Sequence, residues 1–282
     1  MIFRTRFAPS PTGPLHLGHA YSALTAADLA RKNDGEFLLR IEDIDRQRSK
    51  PEWEAQIFDD LHWLGLTWPQ PVMRQSDRLP VYREALDQLF ALGLCYPCSC
   101  SRADIRAAMS APQEGVTGPD GPIYPGTCRA ICNSYEGHMK IIRLNISAAM
   151  DHLGGSPAFT ENGPKHPGRH VLTRETAINQ IGDIVLARRD MGTSYHLSVV
   201  VDDAAQNISH VIRGADLFQA TFIHILLQYL LELPRPTYWH HNLIRDKNGK
   251  RLAKRDDARA IAKYRDDGLT PEEIRRLVGL NP

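Results

Sequence analysis

The chain has 282 residues, 42% of them hydrophobic and 24% charged, which are the proportions of an ordinary globular protein and exclude general disorder. Its 34 basic residues against 33 acidic ones leave a net charge of +1, so no overall field draws it to a polyanion. The length corresponds to about two domains, or one large domain with an insertion, and allows a sizeable core without disulfides.

The first residues, Met1 to Arg6, carry charge with no apolar run behind them, so no signal peptide is expected. Ile2 to Ala8 reads as a strand with Phe3, Thr5 and Phe7 on one face. Pro9 to Pro14 is a loop that its prolines hold extended. A helix follows with Leu17, Ala20, Tyr21, Leu24 and Ala27 on one face, stopping near Asn33-Asp34-Gly35. Phe37 to Ile41 is a second strand, and it runs into Glu42-Asp43-Ile44-Asp45. Trp53, Ile57, Leu61 and Leu64 mark one amphipathic helix; Val81, Ala85, Leu89 and Leu92 mark another. Strand alternating with helix predicts a parallel α/β sheet.

The character changes at Cys95. From Pro97 to His170 the chain is rich in Gly, Pro and Ser, and its best strand is Met139 to Leu144. This stretch is expected to be an inserted subdomain with little apolar core of its own. Regular patterning resumes at Ile181–Ala187 and Leu197–Val201, and Ile208 to Arg213 is a further strand. Phe218, Phe222, Ile225, Leu226 and Tyr229 outline a buried helix. The most apolar stretch, Phe222 to Leu233, is interrupted by His224, Gln228 and Glu232, too short and too polar to span a bilayer. A soluble protein of the cytoplasm is expected. Arg245 to Arg265 holds nine basic and three acidic residues, a local +6 that the neutral total conceals.

All five cysteines fall between Cys95 and Cys132. An odd, locally clustered set points to metal chemistry in a reducing compartment rather than to a secreted disulfide framework. Thiolates are good zinc ligands and four are usual in a structural site, so spacing alone selects Cys98, Cys100, Cys128 and Cys132. Cys95 is then a buried thiol without a role.

His16-Leu17-Gly18-His19 sits where a strand and loop give way to a helix N-terminus. Free N–H groups and the helix dipole make that junction a phosphate-binding position in α/β folds. Histidines three apart share one side of the first turn and can donate to phosphate oxygens as charge builds on them. Gly18 has no side chain, so a base or ribose can lie against the backbone.

The stretch Arg6-Phe7-Ala8-Pro9-Ser10-Pro11-Thr12-Gly13-Pro14-Leu15-His16-Leu17-Gly18-His19 closely resembles the first signature of class I aminoacyl-tRNA synthetases, and within them the glutamyl branch. Further similar stretches follow in that family's order: Leu39 to Asp45, Arg74 to Arg78, Tyr82 to Leu86, Val199 to Asp203 and Ile212 to Leu217. Together they span roughly residues 2 to 260. The second signature, Lys-Met-Ser-Lys-Ser, is met by Arg251-Leu252-Ala253-Lys254-Arg255, where only Lys254 is retained. Cations there, Lys254 with Arg251 or Lys250, stabilise a pyrophosphate leaving group.

The resemblance implies a Rossmann-type parallel sheet with a zinc-bearing insertion and a short helical C-terminal segment. The expected division is 1–96 and 181–235 for the two halves of the catalytic domain, 97–180 for the insertion and 236–282 for the C-terminal segment. It implies that His16, His19 and Lys254 act in catalysis, that His16, Gly18, His19, Arg251 and Lys254 bind ATP with Mg2+, and that Arg6, Phe7, Ala8, Pro9, Ser10, Glu42, Tyr195 and Arg213 bind L-glutamate. An anionic γ-carboxylate calls for a bidentate arginine, and Glu42 can pair with the α-ammonium group. The resemblance also places Cys98, Cys100, Tyr124 and Cys128 on a structural Zn2+, with Cys132 as the alternative to Tyr124.

Only 27 residues follow Arg255, fewer than an anticodon-reading domain of the usual kind. That pattern is similar to the glutamyl-queuosine branch, which implies glutamyl-adenylate formation followed by transfer to queuosine at the first anticodon position of tRNA(Asp). The alternatives are a shortened glutamyl-tRNA synthetase that charges a tRNA 3′ end, and a non-catalytic zinc-bearing paralogue that binds tRNA or a protein. No membrane association and no obligate protein partner are expected.

Overall fold

A computed structural model of the chain describes residues 2–101, 103–105, 117–119, 121–129, 141–244 and 259–281. Strand β1 (Arg4–Phe7) pairs in parallel with β2 (Glu36–Ile41), from Arg4 opposite Glu36 to Phe7 opposite Leu39. Strand β3 (Met73–Arg74) continues the parallel sheet on the far side of β2. The crossover between β1 and β2 is helix α1 (Leu17–Lys32), whose alanine-rich inner face buries Leu17, Ala20, Ala23, Leu24, Ala26, Ala27 and Ala30. Small residues let α1 lie close to the sheet, and the Thr5 hydroxyl donates to the Ala26 carbonyl at 2.9 Å. Helices α2 (Pro51–Trp63) and α3 (Leu79–Ala91) follow, each with proline in its first turn.

A second parallel pair, β11 (His210–Gly214) and β12 (Thr237–His241), meets the first sheet along β1. There the Ser209 amide donates to the Arg4 carbonyl at 3.0 Å. Helix α5 (Tyr195–Ala205) precedes β11, and helix α6 (Ala220–Leu230) connects β11 to β12. The β-branched run Val199–Val201 is helical. Ser194 caps α5 by accepting from the Leu197 amide, and the valines are buried in the main core, so capping and burial override local propensity.

Residues 141–181 differ from the expected apolar-poor insertion. Strand β7 (Ile141–Leu144) stands between β4 (Cys95–Cys98) and β10 (Val185–Arg188) in an antiparallel sheet. Helix α4 (Ile146–Leu153) follows it. Ile142, Leu144, Ile146, Met150 and Leu172 join one core cluster with Leu86, Leu197 and Leu226. Each of these segments is too short to show a periodic face alone, and only their assembly makes one. The hairpin of β8 (Ala158–Glu161) and β9 (Gly168–Val171) attaches to β12, with Glu161 opposite Tyr238. The small strands β5 (Thr117–Gly118) and β6 (Gly121–Pro122) pair with each other.

Helices α7 (Ile261–Asp266) and α8 (Pro271–Leu277) close the described chain. They bury Ile261 and Ile274 in the cluster that holds α1 and α2. No helix among the described residues is long and apolar enough to cross a membrane.

Asp60 of α2 is wholly buried, and neither carboxylate oxygen has a hydrogen-bond partner among the described residues. Burial pushes its pKa up to about 6, although Arg265 opposes the shift. A carboxyl raised in the folded state weakens folding progressively as pH rises from about 4 towards 6 and fully above that. Asp60→Asn is therefore expected to raise the melting temperature at pH 7.5, by the equivalent of about 2 kcal/mol, and to leave it nearly unchanged at pH 4. Thermal unfolding at the two pH values measures the difference.

Candidate active site

The ends of β1, β2 and β11, the start of α1 and α5, and the strand end of β12 converge on one cleft of about 240 Å³. Its wall contains Arg6, Phe7, Ala8, His16, Gly18, His19, Glu42, Tyr195 and Arg213, so nine of the residues expected from sequence come together. Pro9 and Ser10 do not line it. Pro9 is buried and its carbonyl accepts from the Glu42 amide at 3.0 Å, which ties the proline loop to the end of β2. Ser10 is exposed. Arg251 and Lys254 lie outside the described residues, as does Cys132. The described flanks of 245–258 nevertheless reach the cleft: Leu243 and Ile244 line it, and Ala260 forms a β-bridge with His16.

The two histidines cap α1 reciprocally. His16 Nδ1 accepts from the Gly18 amide, and His19 Nδ1 accepts from the His16 amide, both at 3.1 Å. Their rings stack with centroids 3.8 Å apart. An imidazole nitrogen that accepts from a backbone N–H carries no proton, so each neutral ring bears its proton on Nε2. The capping box thus turns both histidines into donors at a helix N-terminus.

Beneath the cleft lies a network of buried charges. Asp203 of α5 accepts from Arg6 Nε and Nη2 at 3.0 and 3.2 Å and from Arg40 Nη1 at 2.8 Å. Arg40 also reaches Glu42 at 3.2 Å. Its neighbour Asp202 accepts from Gln75, Arg78 and Tyr82 at 2.7–2.9 Å. Burial drives the Asp203 carboxyl up, but the Arg6 and Arg40 guanidinium groups outweigh it and hold the pKa below the ordinary value. Burial dominates at Glu42 and raises its carboxyl despite the opposing pull of Arg40 and Arg6.

Arg213 is different. A strand-end arginine of this kind ordinarily pairs with a carboxylate. Here its Nε donates to His240 Nε2 at 3.0 Å, Nη1 to His224 Nδ1 at 3.0 Å, and Nη2 to the Thr221 hydroxyl at 2.7 Å and the Leu217 carbonyl at 3.3 Å. Every one of these partners is neutral. His224 is kept uncharged by burial and by Arg213 itself, its pKa well below the ordinary histidine value. A guanidinium 5% exposed and held by neutral acceptors is a fixed cation facing a cleft.

The family model described as "tRNA synthetases class I (E and Q), catalytic domain" matches residues 2–281. The chain belongs to this family. It is 61% identical over 280 residues to the glutamyl-Q tRNA(Asp) synthetase of Rhodobacter capsulatus, covering 98% of this chain and 99% of that one. It is 38% identical to the glutamate–tRNA ligase of a Synechococcus species, of which it covers 58%. Among solved structures it resembles a glutamate tRNA ligase of Elizabethkingia meningosepticum in complex with its amino acid, with a TM-score of 0.79 and 28% identity over 99% of this chain and 61% of that one. The expected α/β class I synthetase fold with a parallel sheet is thus borne out.

The cleft also contains Ser22, Asp216 and His241, which sequence reasoning did not select. Asp216 was within a stretch similar to the family's. A Cβ at Gly214, two residues earlier, would stand 2.4 Å from the Asp216 carboxylate, so the glycine permits that packing. Ser22 and His241 meet at 2.7 Å across 219 residues, and no local pattern announces such a pair.

A second constellation lies at the end of β4. The Sγ atoms of Cys98, Cys100 and Cys128 lie within 4.8 Å of one another. The Tyr124 hydroxyl is 3.4 Å from Cys98 Sγ and 3.3 Å from Cys100 Sγ, and Cys100 and Cys128 Sγ are 3.5 Å apart. Sulfurs bound tetrahedrally to zinc stand about 3.8 Å apart, so three thiols and one phenol fit the edges of such a site. Asp183 fastens this region to the body, accepting from the Tyr96 hydroxyl, from Arg129 and from the Ile146 amide. Cys95 stands apart from the cluster, and burial pushes its thiol up to about 12.

Replacing Asp203 by Asn leaves Arg6 and Arg40 buried with their shared counter-charge removed. The expected loss is about 3–5 kcal/mol, against less than about 1 kcal/mol for breaking the exposed Arg83–Asp87 pair. Chemical denaturation of the two variants provides the comparison.

Proposed function

We propose that the protein activates L-glutamate with ATP and transfers the glutamyl group to queuosine at the first anticodon position of tRNA(Asp). The observation that carries this reading is Arg213, a buried cation at the cleft whose partners among the described residues are all neutral, which matches a substrate bearing a side-chain carboxylate. The names of similar proteins support the amino acid and the acceptor together.

In this reading Arg213 holds the γ-carboxylate, and Glu42 meets the α-ammonium group, whose charge offsets the burial of that carboxyl. Tyr195 closes the cleft. Arg6, already engaged by Asp203, fixes the floor. An α-carboxylate oxygen of glutamate attacks the α-phosphorus of ATP, and the bond to pyrophosphate breaks. The Nε2–H groups of His16 and His19 stabilise charge growing on the phosphates, Gly18 leaves room for the nucleoside, and Arg251 and Lys254 hold the departing pyrophosphate. Magnesium arrives with ATP as part of the substrate. A hydroxyl oxygen of the queuosine cyclopentenediol then attacks the glutamyl carbonyl carbon. AMP leaves and the hydroxyl proton is released. Positioning and electrostatics do this chemistry without a dedicated protein nucleophile.

Cys98, Cys100, Tyr124 and Cys128 hold a structural zinc ion in the same reading. A bound zinc ion ties together a stretch whose described apolar contacts are few. One equivalent of zinc per chain is expected by elemental analysis of the purified protein, and Cys128→Ser is expected to lose most of it. Retention of a full equivalent by Cys128→Ser assigns the metal to other ligands.

The acceptor is tested with labelled glutamate offered to tRNA(Asp) with and without queuosine and to tRNA(Glu), followed by mapping of the label. The expected label is confined to the anticodon fragment of queuosine-bearing tRNA(Asp). Label at the 3′ end of tRNA(Glu) alone establishes a shortened glutamyl-tRNA synthetase instead. No glutamate-dependent ATP–pyrophosphate exchange, with or without tRNA, together with no label on any tRNA, establishes the non-catalytic reading.

A further inference from the structure

Glu161 belongs to the β8–β9 hairpin, outside the set of residues expected at the cleft, and does not line it. The residue is 1% exposed, and its two carboxylate oxygens are used differently. Oε1 accepts from two backbone amides, His240 N at 2.8 Å and Gly163 N at 2.6 Å. Oε2 lies 2.5 Å from His240 Nδ1. A Cβ at Gly163 would stand 2.5 Å from Glu161 Oε1 and 2.5–2.6 Å from the His240 backbone, so only glycine lets the hairpin deliver this carboxylate so closely. Burial raises the Glu161 carboxyl, but the hydrogen bonds from the His240 ring, its amide and Gly163 prevail and keep it ionised.

An ionised carboxylate only accepts, so Nδ1 of His240 carries the ring proton. Burial lowers the His240 pKa, which keeps the ring neutral, and Nε2 is therefore an acceptor. That nitrogen is the one facing Arg213 Nε, a group that can only donate, at 3.0 Å. The Thr221 hydroxyl is also 3.2 Å from it and accepts from Arg213 Nη2, so both contacts aim the same guanidinium.

We propose that Glu161 is a positioning residue for Arg213: by fixing His240 with its proton on Nδ1, it makes Nε2 the acceptor that orients the guanidinium towards the substrate's side-chain carboxylate. The inference rests on the reading of Arg213 as the carboxylate-binding group.

Glu161→Gln tests it sharply. The two amides on Oε1 can only donate, so the amide oxygen of Gln must take that place and its NH2 group must face His240 Nδ1. The ring proton is then driven to Nε2, and two donors confront each other where Arg213 was held. The expected result in glutamate-dependent ATP–pyrophosphate exchange is a glutamate KM raised about tenfold to a hundredfold, the loss of a hydrogen bond to a charged group, with the ATP KM changed by less than about twofold. A merely structural lesion moves both. Nitrogen-15 spectra of labelled histidine are expected to show His240 protonated on Nδ1 in the unaltered protein and on Nε2 in Glu161→Gln. An unchanged glutamate KM in the variant overturns the inference, as does an Nε2-protonated or doubly protonated His240 in the unaltered protein. If the variant does not fold, the spectrum of the unaltered protein decides alone. Absence of glutamate-dependent exchange in the unaltered protein is a failure of the proposed function, and the ring's protonation state is still read independently of it.

Discussion

A buried guanidinium has to be answered by something, and what answers it fixes what the surrounding structure can do. Arg6 and Arg40 are answered by Asp203, a carboxylate that binds both and joins α5 to the first two strands. Arg213 is answered by two imidazoles, a hydroxyl and a carbonyl. The first arrangement uses up its charge inside the protein and serves as a floor. The second leaves a positive charge at the wall of the cleft, in direct contact with neutral acceptors. Burial above all, with the Arg213 charge adding to it, depresses the pKa values of His224 and His240 and keeps both rings uncharged.

The strand pairing explains how distant segments supply those neutral groups. Arg213 and His240 stand opposite each other in the parallel ladder of β11 and β12, so the register itself brings the ring to the guanidinium. His224 comes from α6, the connection between the two strands, and Glu161 from the hairpin added beyond β12. The described residues between β4 and β10 thus contribute to two separate constellations. Cys100 and Cys128 meet Cys98 and Tyr124 at one, and Glu161 reaches under the cleft at the other. The antiparallel strand β7 lies between, held against β4 and β10 and covered by the main core.

Much of this was legible in the sequence, and the limits have physical causes. The first strand, the proline loop and α1 follow from alternation, proline geometry and an alanine-rich helical face, and the signature around His16 announced the helix N-terminus. The reciprocal capping of His16 and His19 goes further, because it sets the tautomers, and hydrogen-bond direction is not a property of spacing. Arg213 was recognisable from its neighbours, but its lack of a carboxylate partner among the described residues was not, since its acceptors lie 4 to 27 residues away on other elements. Glu161, His224 and His240 carry no local pattern at all. Spacing alone selected four cysteines, and in the structure three of them meet a phenol from Tyr124, a donor that chain arithmetic gives no reason to prefer.

The placement of Glu161 also resolves a difficulty in burying Arg213. A carboxylate in direct contact would offset the cost of taking the guanidinium out of water, yet it would also cancel the charge that draws a substrate carboxylate. A carboxylate one imidazole away offers a compromise. Coulomb attraction falls only as the inverse of distance, so a negative charge across the His240 ring still stabilises the cation, more strongly in a buried setting than in water. The ring meanwhile takes up a single N–H and leaves the rest of the guanidinium oriented by Thr221, Leu217 and His224. A neutral side-chain amide arriving in the cleft leaves that cation without a direct counter-charge, whereas a carboxylate supplies one. In the proposed reading, discrimination between the two rests on where the protein has put its own negative charge.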